Sequence, residues 1–180
     1  MSKYNSVQLK MYDDLGNHLL KSGRGFKKKV FDIKDNKIYM IERSAIINML
    51  KNLGFRSFGF ADRYHYYLDL EVMKGIIAGD WTDKREYLAE KFDCDDFAFA
   101  FKAHMSEIYL INSVALAKHI DTTLSNGEQI WHRAAIFLAK DQGVVSPYLL
   151  ETQNDGMIQI TGNTKISLGK WKYKLNTIEF

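Results

Sequence analysis

One cysteine and one proline stand in 180 residues. A single cysteine excludes an intramolecular disulfide framework and a zinc site built from cysteines. Cys94 is left as either an inert buried thiol or a lone reactive one. Charge of one sign is also scarce. The 25 basic residues nearly balance 22 acidic ones, for a net +3. That falls short of a nucleic-acid footprint. The dense basic run Lys27-Lys28-Lys29, with Arg24 nearby, reads as a solvated face. Long apolar runs are missing too. Stretches such as Ala134 to Ala139 are far too short to span a bilayer, and the opening Met-Ser-Lys-Tyr-Asn starts no leader-like apolar segment. The expectation is a cytoplasmic protein that binds neither membrane nor nucleic acid.

What is present suffices for a core. Hydrophobic residues make up 46% and aromatics 13%, which excludes a disordered or collagen-like chain. The size predicts one domain over 1–180, with 1–41 as a looser, Gly- and Lys-rich extension that carries a short strand at Lys37 to Ile41.

Helical spacing runs from Glu42 to Leu53, stopped by Gly54, and again from Glu71 to Ala78, stopped by Gly79. Asp83 to Lys91 reads as a further helical turn or two. The strongest helix begins at Cys94. Asp93 is a good N-cap, Asp95 and Asp96 suit the first turn, and Phe97, Phe101, Met105 and Ile108 continue one face. It is expected to reach Asn112 and to continue through Val114 to His119. After Gly127 the period changes. Ile130 to Ala139, Val144 to Glu151, Met157 to Thr161 and Ile166 to Asn176 read as strands separated by turn residues. Helices first and strands later predict an α+β fold, with the Cys94 helix packed on a C-terminal antiparallel meander.

A lone cysteine is more often a small buried hydrophobe than a nucleophile. Its place at a helix start favours the thiolate, which is the reactive form. A nucleophilic cysteine also needs a base and a group to orient that base. His104 lies ten residues along the same helix, too far up its axis. His18 and His65 fall in less regular segments. His132 opens a strand that can pack on the helix start. A turn at Lys140 to Gly143 brings Glu151 opposite the beginning of that strand, on the same face. Cys94, His132 and Glu151 thus form a candidate nucleophile, base and orienting carboxylate. Each alone has a plain reading, as a buried thiol, a half-buried histidine and a solvated glutamate. The ordered set raises the functional one. Asp93, Asp95 and Asp96 argue against an isolated thiolate, since like charge disfavours it. Either they point away or something positive offsets them. Oxygen-rich side chains such as Asp95, Asp96, Glu151 and Gln153 suit Ca²⁺ or Mn²⁺.

The run Lys91-Phe92-Asp93-Cys94-Asp95-Asp96-Phe97, followed by His132 and Glu151-Thr152-Gln153, resembles the papain-like C-terminal domain family of the Marasmius oreades agglutinin and its bacterial and phage relatives. The resemblance covers roughly Ala61 to Thr161. It implies a papain-like fold and calcium-dependent proteolysis through a Cys94-His132-Glu151 triad, with Asp95, Glu151 and Gln153 toward the metal. A protein or peptide substrate and a homodimer follow from it; an organic cofactor does not. Thr152 stands where the family pattern has proline. The sugar-binding β-trefoil of the agglutinin has no room here, so carbohydrate binding is not implied. Two readings stand beside hydrolysis: acyl transfer or deamidation by the same triad, and a non-catalytic dimerisation module of the same fold. No Gln precedes Cys94 after Gln8 to serve an oxyanion hole, which leaves the Cys94 backbone N–H as one donor.

Overall fold

The computed structural model describes residues 37–89, 91–123, 126–162, 166–169, 171–175 and 177–180, at 119–122 for the backbone only. Of the extension expected over 1–41, residues 1–36, His18 and the Lys27 run among them, lie outside the described residues. Positions 38–41 belong to the sheet: strand β1 spans Ile38–Glu42 and pairs antiparallel with β3, Tyr64–Asp69.

The fold is α+β. Among the described residues three helices stand: α1 (Arg43–Asn52), α2 (Leu70–Gly79) and α3 (Cys94–Tyr109). The other strands are β2 (Ser57–Gly59), β4 (Val114–Thr123), β5 (Gln129–Asp141), β6 (Val144–Glu151), β7 (Gly156–Gln159), β8 (Ile166–Leu168), β9 (Trp171–Lys174) and β10 (Thr177–Glu179). Of the expected meander, β5, β6 and β7 pair antiparallel in chain order. The run from Ile166 expected as its fourth strand is instead two, β8 and β9, which pair with each other across a turn at Gly169 (φ 59°), with β9 joined to β4 rather than β7. Two joins are parallel, β3 with β5 and β10 with β2, so the whole sheet is mixed.

Two further expectations are corrected. Val114 to His119 is not a continuation of the helix; it opens β4. Val114, Ala115, Leu116 and Ala117 are all buried, so the run is a central strand covered on both faces, and such a run carries no alternation to distinguish it from helix. The helix stops at Leu110, which takes a left-handed conformation (φ 57°) while the Ile111 N–H closes on the Met105 carbonyl. Over Asp83 to Lys91 the described residues hold a 3-10 turn, Thr82–Lys84, and a turn closed by the Leu88–Phe92 bridge, in place of an α-helical turn or two. Arg85 leaves that turn to stack its guanidinium 3.6 Å over the Trp81 ring.

β5 is the hub, and its alternation sorts two cores. Ala134, Ile136 and Leu138 face Ile46 and Leu50 of α1, together with Tyr173, Leu175 and Ile178. Ala135, Phe137 and Ala139 face Met73, Ile76 and Ile77 of α2 and Phe101 and Met105 of α3. The β5–β6 hairpin turns at Gln142 and Gly143, both with positive φ (47° and 88°), as a two-residue turn of the twisted kind requires. Pro147 ends the β6–β7 pairing: its carbonyl accepts the Ile160 N–H, and with no N–H to return the ladder stops at Tyr148 and Gln159. No described helix is long and apolar enough to cross a membrane.

Candidate active site

Helix α3 begins as the sequence predicts. The Asp93 carboxylate accepts the Asp95 N–H at 3.3 Å, and Asp96 accepts the Asp93 N–H at 3.2 Å, which completes a capping box. Cys94 is therefore the first helical residue, half-buried and not in a disulfide.

The hairpin register places the other two residues. Ala135 pairs with Leu150, so continuing the ladder sets Glu151 opposite Ala134. His132 and Ala134 share a face, and His132 and Glu151 become diagonal neighbours on it. His132 Nε2 lies 2.6 Å from Glu151 Oε2, with both residues buried. The other ring nitrogen is left for the thiol, and His132 shares a side-chain hydrogen bond with Cys94. All three residues singled out from the sequence are brought together.

Neighbours on a strand point to opposite faces, yet both His132 and Arg133 reach the first turn of α3. Arg133 donates to Asp95 Oδ2 at 2.9 Å. The start of α3 thus sits at the edge of β5 rather than over one face. That edge is open because the β5–β6 pairing ends at Ala135. On the other side, β4 slips its register between Ala117 and Ile120, the residues opposite Ala134 and His132. Bulges of this kind bend a strand and re-aim its partners near functional sites.

The sheet also curls. β6 pairs with β5 and β9 pairs with β4, yet Tyr173 of β9 donates its hydroxyl to Glu151 Oε2 of β6 at 3.2 Å. Trp171, two residues earlier on the same face, meets the His132 ring edge to face at 5.4 Å and 85°. Sequence reasoning missed Tyr173, Trp171 and Arg133. The Trp-x-Tyr alternation marks a shared strand face, but which strand it meets depends on the curl.

Electrostatics follow from this enclosure. Burial works against a charged His132. The hydrogen bonds to Cys94 and Glu151 and the negative charge of both outweigh it, and the imidazole is pushed up to about 9. Burial, helped by the Glu151 charge, pushes the Tyr173 phenol far above its ordinary range, so it stays a donor. The hydrogen bond with Asp93 and burial raise the Asp95 carboxyl, while Arg133 pulls it the other way. The positive group that the three aspartates call for is thus present in part as a guanidinium.

Of the residues expected toward a metal, Asp95 is ion-paired to Arg133 and Glu151 is bound through Oε2, while Gln153 is half-buried in the turn after β6. That turn is closed by Asn154, whose N–H reaches the Glu151 carbonyl and whose Oδ1 accepts from the Gly156 N–H. A Cβ at Gly156 would lie 2.8 Å from that oxygen, so a side chain there would push the Asn154 carboxamide aside. Asp93, Cys94 and Asp95 bring ligand atoms within 4.8 Å of one another. Glu151 Oε1 is buried and has no hydrogen-bond partner among the described residues. The remaining described histidines stand elsewhere. His65 bonds the Asn112 carbonyl, and His104 lies 3.0 Å from Asp80.

No family model and no curated protein matches the chain. Solved structures do. One is PSL1a in its complex with E64, 18% identical, with a TM-score of 0.53 over 78% of this chain and 51% of that one. Another is the Polyporus squamosus lectin bound to the human-type influenza-binding epitope Neu5Acα2-6Galβ1-4GlcNAc, 17% identical, with a TM-score of 0.55 over 78% of this chain and 49% of that one. The likeness is one of fold. The chain spans about half the length of these neighbours.

Proposed function

We propose that the chain is a papain-like cysteine hydrolase acting on protein or peptide amides, of the family that the Cys94 motif resembles. The observation that carries this reading is the buried relay from Glu151 Oε2 through the His132 ring to the Cys94 side chain at a helix start. The E64 complex of a fold neighbour supports it, since E64 is an epoxide that alkylates thiols.

The chemistry follows from the residues. His132 takes the Cys94 proton as the sulfur attacks the carbonyl carbon. The oxyanion meets the Cys94 N–H, which opens the helix without an intrahelical acceptor. His132 then protonates the leaving nitrogen as the C–N bond breaks. Water, losing a proton to His132, attacks the thioester and the C–S bond breaks. Glu151 accepts from Nε2–H throughout and keeps it directed away from the sulfur. Trp131, next to His132 and 76% exposed, offers an apolar surface to an incoming peptide.

A hard cation fits the donor set. The unpartnered Glu151 Oε1, the Gln153 carboxamide and Asp95 would hold Ca²⁺ or Mn²⁺, with Arg133 competing for Asp95. The ion would supply positive charge against the carboxylates around Cys94.

E64 is expected to label the chain once, at Cys94, and casein to be cleaved by the wild type but not by Cys94→Ala. Absence of both in the wild type, with or without added cation, would leave a non-catalytic module of the same fold. Ammonia release without chain cleavage would move the reading to side-chain deamidation. Added Ca²⁺ is expected to raise the E64 labelling rate and a chelator to lower it; a rate indifferent to both would remove the cation.

A further inference from the structure

Glu151 hangs on one oxygen. Oε2 accepts from His132 Nε2 at 2.6 Å and from the Tyr173 hydroxyl at 3.2 Å, while Oε1 has no partner among the described residues. The last torsion of a glutamate is broad and roughly two-fold, as is the ring torsion of a histidine. One hydrogen bond would leave the carboxylate free to twist about it and to offer either oxygen. A second donor on the same oxygen fixes its plane. That donor comes from a ring only 2% exposed, packed in the core at 6.2 Å from the imidazole. Trp171, beside Tyr173 on the same strand face, also limits the tilt of His132. The soft torsions of the relay are held by β9, a strand that contributes no group to the reaction.

Resting on the hydrolase reading, we propose that Tyr173 is a positioning residue. Its hydroxyl holds the Glu151 carboxylate in one orientation, and the carboxylate in turn holds His132 with its free nitrogen on the Cys94 sulfur. Tyr173 acts through Glu151 and takes no proton in the reaction.

Tyr173→Phe keeps the ring and removes only the donor. With a fluorogenic peptide, kcat is expected to fall about ten- to a hundredfold, the worth of one hydrogen bond to a charged group. KM should stay within about twofold, because substrate contacts are untouched. In the proton NMR spectrum, the downfield His132 Nε2–H signal is expected to broaden and move upfield in the variant. In the wild type it should show a cross-peak to the Tyr173 hydroxyl proton across Oε2. Wild-type kcat in Tyr173→Phe overturns the proposal, and so does absence of that cross-peak, even if the variant does not fold. A wild type that shows the cross-peak and the variant's signal change but cleaves nothing sinks the hydrolase reading while the hold on His132 stands.

Discussion

His132→Asn is expected to lower peptide cleavage by about 10²–10⁴-fold, the usual worth of a positioned general base and acid. Asparagine can still offer an amide N–H to Glu151 Oε2, so the buried carboxylate keeps a donor there, and Tyr173 supplies the other. The fold is therefore retained while the proton carrier is removed. The attacking sulfur has nowhere to leave its proton, and the leaving nitrogen has none to collect. E64 labelling should slow together with cleavage, since both need the sulfur deprotonated. Circular dichroism and thermal midpoint check that the loss is chemical. Cleavage near the wild-type rate in a folded His132→Asn protein would remove His132 from the reaction.

Glu151→Ala should act on stability as well as on activity. It leaves a buried imidazole facing Cys94 with no carboxylate behind it, and breaking a buried pair in this way costs about 3–5 kcal/mol. The Tyr173 hydroxyl is orphaned at the same time. Urea unfolding measures the loss. A variant within about 0.5 kcal/mol of wild type, the scale of a neutral surface change, would mean that the pair is not buried as described. The same pair sets a pH dependence. Folding raises His132 from its ordinary value to about 9, so the folded state holds the proton more tightly than the unfolded chain. The associated stability, roughly 3 kcal/mol, is fully present below the unfolded value near 6.5 and is lost as pH rises through about 9. In Glu151→Ala the alkaline fall should shrink, because the carboxylate no longer favours the imidazolium. An unchanged alkaline fall would assign it to another group.

Much of the site was legible because its parts are local. The N-cap Asp93 and the first-turn aspartates announce the start of α3, and the structure places Cys94 there. His132 and Glu151 follow from hairpin arithmetic, since a two-residue turn fixes the register and a period of two fixes the face. What lay beyond reach depends on the curl of the sheet. Tyr173 is twenty-two residues from Glu151, and two strands stand between β9 and β6 in the pairing order, so no local pattern records that they meet. Arg133 was hidden for a related reason. Strand alternation sends it away from His132, and only the position of α3 at the β5 edge brings both to the same helix end. Val114 to Ala117 misled because a strand buried on both faces and a buried helix are written in the same apolar letters.

The curl that lets β9 reach β6 also bears on timing. Cys94, His132 and Glu151 are all synthesised before Trp171 and Tyr173. A nascent chain that has just exposed its third triad residue has the reagents of a hydrolase without the wall that aligns them. Chains emerge at roughly 5–20 residues per second, so this interval lasts on the order of seconds. During it the thiol is disarmed by geometry alone. A chain truncated before Trp171 should stay in that condition, which makes closure of the β8–β9 hairpin the step that completes the surroundings of His132 and Glu151.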